Sequence, residues 1–341
     1  MRVFITGGTG LIGRRLTQRL IERGDAPVIL SRRSDEVRRN KSMRGISVVQ
    51  GDPTVAGSGW EEHVEGCDAV VNLAGHNLFA NRWSTTVKRT IRDSRVLATE
   101  NLVKAVRDSV QKPGVFVQGS AIGFYGAHGD EELNEDSPCG SDFMARICRE
   151  WEDAAKPAEG LGARLAIVRT GVVLAAGEGA LGVMTPIFKW LPGGAAPVGS
   201  GEKATSPASG KQWMSWIHLD DIVGIILLAL DNAEARGPIN GTAPNPARNV
   251  DFGKALAKVL KRPFVPVGPP DVMMRTILGE VADVVIKGQK VLPAKALALG
   301  YRFAYPELLE ALRSALAPPP KPKPEPKPAH GHGHDKAHAH H

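Results

Sequence analysis

A glycine-rich run near the start of this chain has the residue types of a phosphate-binding turn. It reads Ile5-Thr6-Gly7-Gly8-Thr9-Gly10-Leu11-Ile12-Gly13-Arg14. Apolar residues precede it and recur at helical spacing after it, so we expect a strand, a turn and a helix in that order. Such glycines allow close backbone approach to a pyrophosphate, and the helix start supplies N–H groups and a positive dipole end. A ligand-free structural turn is the competing interpretation. The run predicts a dinucleotide site formed by Gly7, Thr9, Gly10, Leu11, Ile12 and Gly13.

The residues after the second predicted strand, 27–30, indicate which dinucleotide binds. An NAD site places a carboxylate here, about 20 residues after the glycine run, to hold the ribose hydroxyls. This chain instead has Ser31-Arg32-Arg33-Ser34 and no carboxylate before Asp35. Guanidinium groups match the bidentate geometry of phosphate, so Ser31, Arg32 and Arg33 predict NADP(H) rather than NAD(H). Solvated loop arginines are the alternative.

These residues require elements that bring them to one edge of a sheet. Short apolar strands such as 47–50, 68–71 and 115–117 alternate with helical patterns, notably 87–110. This order predicts an α/β fold: a Rossmann-type doubly wound parallel sheet with a smaller C-terminal α/β substrate portion. Ligands of such sheets bind beyond the carboxyl ends of the strands. We therefore add Asp52, Leu73, Ala74, Gly75 and Arg95 to the cofactor site, although Arg95 is equally well explained as a surface charge.

The chain divides by composition into three parts. Residues 1–173 and 212–245 are expected to form the NADP(H)-binding domain. Residues 174–211 and 246–316 are expected to form the smaller substrate portion, with helices over 249–260 and 306–316 and a pocket-edge or interface segment at 288–293. Residues 191–210 are expected to form a substrate-side loop or lid, with disorder as the alternative. Residues 317–341 are rich in Pro, Lys and His and are expected to be disordered. The tail is either a weak binder of divalent metals or an inert extension.

Charge and composition limit the classes of partner. The formal net charge of +7 suits an anionic cofactor. No basic stripe with interleaved aromatics appears, so we expect no nucleic acid partner. The three scattered cysteines indicate a reducing compartment without disulfides or a metal site. No apolar run reaches membrane-spanning length and no leader pattern precedes the first strand, which predicts a cytoplasmic protein without a membrane partner.

Several motifs together resemble the extended short-chain dehydrogenase/reductases and the sugar-nucleotide epimerases. They are the glycine run, Gly51-Asp52, Asn72-Leu73-Ala74-Gly75, and Gly119-Ser120-Ala121 with Tyr125-Gly126. Further motifs are similar to an atypical epimerase-family group, described in bacteria as nucleoside-diphosphate-sugar epimerase-like or cell-division-inhibitor-like. These motifs lie at 91–95, 142–145 with Trp151-Glu152, 216–221 and 240–246. The resemblance covers about residues 1–313 and implies NADP(H) binding with an unidentified substrate.

The chain departs from this superfamily at the catalytic pair. The parent enzymes use a Tyr-x-x-x-Lys helix as acid and base, and a serine to polarise the carbonyl. The matching helix, 141–149, has neither residue, and no Tyr-x-x-x-Lys occurs anywhere in the chain. Ser120, at a strand end beside the expected nicotinamide position, remains a candidate for orienting the carbonyl, unless it only caps the next turn. Tyr125 is a candidate proton donor or a wall of the pocket.

Other reactive side chains have plainer explanations. Cys148, on the same helix, is more typical of packing than of a nucleophile. His218 is better explained by a strand over 213–217 leading into a helix capped by Asp220 than by a metal site or triad, because too few ligands cluster there.

Two functional hypotheses follow. The first is an NADP(H)-dependent, epimerase-like oxidoreductase acting on a small or nucleotide-linked carbonyl substrate, with Ser120 orienting the carbonyl and Tyr125 or water supplying a proton. The second is a non-catalytic NADPH-binding sensor or scaffold that recruits a protein partner. The missing pair favours the second hypothesis. The retained Ser120 favours the first, which we prefer because a well-positioned hydride transfer can use a weaker acid.

Overall fold

The computed structural model describes residues 1–39, 45–190, 210–264 and 288–317, together with Met43, Thr276 and Glu280. Short strands run through these ranges from one end to the other. Numbered along the chain, they are β1 (Arg2–Thr6), β2 (Ala26–Ser31), β3 (Ser47–Gln50), β4 (Ala69–Asn72), β5 (Val115–Ala121), β6 (Glu132–Leu133), β7 (Arg164–Thr170), β8 (Val172–Ala175), β9 (Trp213–Met214), β10 (Trp216–His218), β11 (Gly237–Gly241), β12 (Ala247–Arg248) and β13 (Lys290–Val291).

Seven of these strands form one central sheet in the order β3-β2-β1-β4-β5-β7-β11. Every neighbouring pair in it is parallel. The order reverses at β1, which is the arrangement of a doubly wound α/β fold, with its ligand site at the reversal. The Rossmann-type fold predicted from the sequence is confirmed.

Helices connect the parallel strands and cover both faces of the sheet. They are α1 (Leu11–Glu22), α2 (Ser34–Arg39), α3 (Thr85–Asp93), α4 (Val96–Asp108), α5 (Phe143–Ala155), α6 (Pro157–Gly160), α7 (Gly179–Trp190), α8 (Leu219–Asp231), α9 (Asn249–Leu260), α10 (Ala294–Ala298) and α11 (Leu308–Leu316). Short 3₁₀ helices cover Glu61–Val64 and Ile122–Tyr125.

Alternation along the strands divides the core between the two faces of the sheet. In β1, Val3 and Ile5 pack in one cluster with α1 and α8, whereas Phe4 packs in the other with α4 and α6. Because both faces are covered, these strands are continuous apolar runs rather than alternating ones. This core fixes the carboxyl ends of the strands along one edge.

A separate apolar core lies among β8, α7, β10, α9 and the last helix, α11. Leu174, Phe188, Trp216, Phe252 and Leu312 are buried together there. Three further strand pairs form small sheets apart from the central one: β8 with β10, β9 with β12, and β6 with β13.

Several element boundaries differ from the sequence predictions. The pattern over 87–110 is two helices, α3 and α4, separated at Ser94-Arg95, where Ser94 Oγ bonds the carbonyl of Ile91. The strand over 213–217 is β9 and β10, split at Ser215, whose hydroxyl bonds the 289–291 backbone instead. The helix predicted from 306 begins at Leu308. The lid, apart from Gly210, and residues 318–341 of the tail lie outside the described residues.

Candidate functional site

The glycine turn between β1 and α1 leaves no room for a side chain at Gly7 or at Gly13. Gly7 has a φ of +69°, and a Cβ there would stand 2.4 Å from the carbonyl oxygen of Leu73. A Cβ on Gly13 would stand 2.3 Å from the carbonyl oxygen of Gly7. The backbones of β1, α1 and the β4 end therefore touch directly, which is the packing that a dinucleotide turn requires.

The N-terminus of α1 faces this turn without a side-chain cap. Its N-cap is Gly10, which has no side chain, and Gly10 N–H donates to Gly7 at 3.0 Å. The first turn of α1 contains no acidic residue. Its N–H groups and positive dipole end are therefore suited to an anion.

A buried group of hydrogen bonds around Asn72, the Asn72 centre, supports the glycine turn. The Asn72 side chain, at the end of β4, accepts from Thr6 Oγ1 at 2.6 Å and donates to Thr99 at 2.8 Å and Gln118 at 3.0 Å. Its oxygen also receives the Ala74 N–H at 3.3 Å. With every polar atom of Asn72 bonded, the loop after β4 is fixed against Gly7.

Arg32 and Arg33 project from the turn after β2. Their side chains are 75% and 76% exposed. Arg32 reaches only a 3.8 Å contact with Asp52, whose Oδ1 receives two hydrogen bonds from Thr54. The arginines border an open recess of about 570 Å³, lined by Arg32, Arg33, Ser34, Asp35, Glu36, Arg39 and Gln50. The structure thus places guanidinium groups next to the sheet edge with little to hold them.

Arg95, also predicted to contact the cofactor, is oriented toward the protein. Its guanidinium donates to the carbonyl oxygens of Ile91 at 3.1 Å and His76 at 3.2 Å, and it lies over the Trp151 ring. Burial lowers the pKa of Arg95. It borders Gly75, since a Cβ there would stand 3.1 Å from the guanidinium, and its contact with a phosphate stays a prediction.

Ser120 belongs to a buried network centred on an ion pair. Its hydroxyl donates to Glu152 Oε1 at 2.7 Å. Arg169 donates to both carboxylate oxygens of Glu152 at 2.8 Å, and the two charged side chains are 5% and 7% exposed. Burial opposes the charge of Arg169, but hydrogen bonding and attraction to Glu152 outweigh it and raise the pKa of Arg169. The single hydroxyl proton of Ser120 is thereby used within the protein.

Tyr125 extends the same network. It is fully buried, its hydroxyl donates to Asn240 Oδ1 at 2.7 Å, and the hydroxyl receives a hydrogen bond from Arg169 at 3.0 Å. Burial raises the pKa of Tyr125. The network therefore joins β5, α5, β7 and β11, and it directs both predicted catalytic hydroxyl protons toward protein acceptors.

Helix α5, which resembles the Tyr-x-x-x-Lys helix of the parent enzymes, is apolar at Phe143 and Ile147. Phe143, its first residue, packs edge-on against Trp83 at 5.2 Å and beneath the Lys88 ammonium at 5.1 Å. One turn later Ile147 is 3% exposed. Cys148 is 1% exposed, and burial raises its pKa to about 12, so its thiol is a packing group.

His218 corrects one sequence prediction. It is the N-cap of α8 itself, because its Nδ1 accepts from the Asp220 N–H at 3.1 Å, so Asp220 is not the cap. The ring packs against Tyr305 with the two ring planes tilted by 39°, and burial lowers the pKa of His218. Among the described residues no group of three or more His, Cys, Asp or Glu side chains could hold a metal ion. The same ranges contain no helix long and apolar enough to cross a membrane.

Sequence reasoning missed the central members of the network. Glu152 was noted only within the Trp151-Glu152 motif, and Arg169 and Asn240 were given no role. The available signal was Arg169 itself. It follows the apolar residues of β7, one position before the end of the strand, and a charge buried there requires a partner.

Comparisons with known proteins agree with this geometry. The model of the NAD dependent epimerase/dehydratase family matches residues 3–240, and a domain of unknown function, DUF1731, matches residues 269–315. "Epimerase family protein SDR39U1 homolog, chloroplastic" of Arabidopsis thaliana is 41% identical over 93% of this chain and 87% of its own. YfhF of Bacillus subtilis is 35% identical over 93% and 98%. The crystal structure of human SDR39U1 with NADPH superposes with a TM-score of 0.79 at 35% identity, covering 92% of this chain and 99% of that one.

Proposed function

This chain belongs to the NAD dependent epimerase/dehydratase family, and from that membership we propose that it binds NADP(H) and acts as an epimerase-like oxidoreductase on a carbonyl or nucleotide-linked substrate. The observation that carries the proposal is the contact between Gly7, Gly13 and Leu73, which admits no side chain. The human relative crystallised with NADPH supports the choice of cofactor.

The residues present fit such a cofactor. Gly7, Gly10 and Gly13 leave the backbone open to a pyrophosphate, and the uncapped start of α1 supplies its N–H groups. Arg32 and Arg33 present exposed guanidiniums to a 2′-phosphate, a group that NADP(H) carries and NAD(H) lacks. The remaining contacts proposed for the cofactor are Thr9, Leu11, Ile12, Ser31, Asp52, Leu73, Ala74, Gly75 and Arg95.

When bound, the nicotinamide supplies hydride chemistry. The chain contributes position: the Asn72 centre fixes the loop after β4, and the Glu152–Arg169 pair fixes the end of β5. Ser120 is placed at that end to hold a substrate oxygen if its hydroxyl turns away from Glu152. Tyr125 is less suited to donate a proton, because it is fully buried.

A second candidate function is a non-catalytic NADPH-binding sensor or scaffold with a protein partner. It is favoured because the hydroxyl protons of Ser120 and Tyr125 are donated to Glu152 and Asn240 within the protein. It is also favoured because α5 begins with Phe143 and contains no tyrosine. The cytoplasmic location stays a prediction, since one relative is described as chloroplastic.

A titration with NADPH and NADH tests both candidates. Arg32→Ala and Arg33→Ala should each weaken NADPH binding by about tenfold, the loss of one charge-assisted contact, and leave NADH unchanged. Arg107→Ala, an exposed arginine on α4, is the matched control. If the wild type binds neither cofactor, both candidates fail.

Turnover separates the candidates. The wild type is incubated with NADPH and a panel of aldehydes, ketones and nucleotide-sugars, and with NADP⁺ and the corresponding alcohols. Oxidation state is followed at the reduced-nicotinamide absorbance band. Turnover that is lost in Ser120→Ala supports the enzyme, provided that this variant still binds NADPH. A bound cofactor that no substrate oxidises or reduces supports the sensor.

A further inference from the structure

One side chain on the neighbouring strand holds the turn that carries Arg32 and Arg33. Gln50, the last residue of β3, donates from Nε2 to the carbonyl oxygen of Arg32 at 2.8 Å. Its Oε1 accepts the backbone N–H of Ser34 at 3.1 Å. Because both ends of one planar amide are used, the carboxamide sets the spacing between Arg32 and Ser34, on either side of Arg33.

Strand pairing anchors this clamp. Ser31 at the end of β2 is in register with Gln50, and the Gly51 N–H donates to the Ser31 carbonyl at 3.1 Å. Ser31 Oγ accepts the Arg33 N–H at 3.1 Å. The backbone from Ser31 to Ser34 is thus tied at several points to itself and to β3.

The guanidinium groups are not tied in the same way. Arg32 has its 3.8 Å contact with Asp52, and Arg33 forms a 3.3 Å ion pair with Glu36. Both side chains of the Arg33–Glu36 pair are at least 64% exposed. Gln50 lines the same recess as the two arginines. A fixed backbone with exposed guanidiniums lets the arginines bind a phosphate without the added free-energy cost of ordering the turn.

We propose that Gln50 is a positioning residue for cofactor choice: its carboxamide preorganises the Arg32–Ser34 turn so that NADPH is preferred over NADH. This inference rests on the NADP(H) binding proposed above. Gln50 acts through the arginines, so its removal changes selectivity for the 2′-phosphate rather than binding of the shared dinucleotide.

The test measures dissociation constants for NADPH and NADH in the full chain. Gln50→Ala should weaken NADPH binding by about fivefold and change NADH binding by less than about twofold. Gln50→Glu keeps the acceptor for Ser34, loses the donor to Arg32 and adds a negative charge, so its NADPH loss should be larger. Gln111→Ala, an exposed glutamine in the loop that precedes β5 at the opposite edge of the sheet, is the matched control and should change neither constant.

A variant that lacks both arginines shows whether Gln50 acts by positioning them or by contacting the cofactor directly. In Arg32→Ala/Arg33→Ala, the further change Gln50→Ala should have no effect on NADPH binding. A full fivefold loss in that background, or an equal loss for NADH in the wild-type background, overturns the inference. Wild-type protein that binds neither cofactor refutes the proposed function itself. Wild-type protein that prefers NADPH, with the preference unchanged in Gln50→Ala, refutes only the role of Gln50. Thermal midpoints of the Gln50 variants should stay close to that of the wild type, because Gln50 is exposed and its two hydrogen bonds lie at the surface of the fold.

Discussion

Replacing Glu152 by glutamine should lower the free energy of unfolding by about 3–5 kcal/mol, the usual loss when one partner of a buried ion pair is removed. Glu152 accepts three hydrogen bonds, one from Ser120 and two from Arg169. Glutamine has nearly the same volume, so no cavity forms. It has no charge, however, and its NH₂ group must face a donor. The guanidinium of Arg169, 5% exposed, would then be left without a counter-charge.

The same helix provides a matched control two residues earlier. Glu150 pairs with Arg92 at 2.6 Å, but the two side chains are 43% and 47% exposed. Exposed pairs of this kind contribute about 0–1 kcal/mol, so Glu150→Gln should be close to wild type. Urea unfolding followed by far-ultraviolet circular dichroism gives the free energy of unfolding of each variant. The two values are compared provided that the slope of this free energy against urea concentration is the same in both variants.

A double variant tests the physical reason. Glu152→Met/Arg169→Met removes both charges and should recover most of the stability that Glu152→Gln loses, because desolvation of the unpaired charge disappears. The reasoning is refuted if Glu152→Gln and Glu150→Gln unfold at the same urea concentration. That result would mean that the network does not stabilise the junction of β5, α5 and β7.

Further outcomes follow from the site. Gly13→Ala should destabilise the fold by about 1–3 kcal/mol and weaken NADPH binding by about tenfold or more, whereas Gly160→Ala, with open space around its Cβ position, should match the wild type in thermal unfolding and titration. Mass spectrometry after alkylation of folded protein at pH 8 should show Cys139 modified at least about tenfold faster than Cys148, since burial raises the Cys148 pKa to about 12; equal rates would contradict this burial. Because the pKa of His218 is lowered in the folded protein, the unfolded chain takes up the imidazole proton at a higher pH than the folded chain does. The free energy of unfolding should therefore fall as the pH drops below about 6.5. His218→Asn, which keeps an N-cap, should show a smaller fall in urea titrations at pH 5 and 7.5.

The local parts of the site were predictable because their signals are local. The glycine turn, the strand and helix around it, and the Arg32-Arg33 pair each depend on residues adjacent in the chain. The parallel order of the strands followed from their alternation with helices and their apolar runs.

The rest depends on contacts between distant residues. Ser120 meets Glu152, 32 residues away, and Tyr125 meets Asn240, 115 residues away, and neither spacing has a sequence pattern. Gln50 looked like an ordinary strand end, because its side-chain partners, Arg32 and Ser34, lie 16 to 18 residues earlier, in the turn after β2. The N-cap of α8 was assigned to Asp220 because carboxylates are the commoner caps, whereas the structure uses the imidazole nitrogen of His218.

The packing of α5 bears on how the parent chemistry could be rebuilt in this chain. Phe143 is the only aromatic residue over 141–149, so a restored tyrosine and lysine would stand at Phe143 and Ile147, four residues apart. A hydroxyl at Phe143 would enter the half-exposed contact with Trp83 and Lys88. A lysine at Ile147, in contrast, would bring an ammonium into a position that is 3% exposed, where desolvation opposes its charge. Two substitutions alone therefore do not supply the acid and base of the parent enzymes, because the neighbours of Ile147 would have to be redesigned to receive that charge.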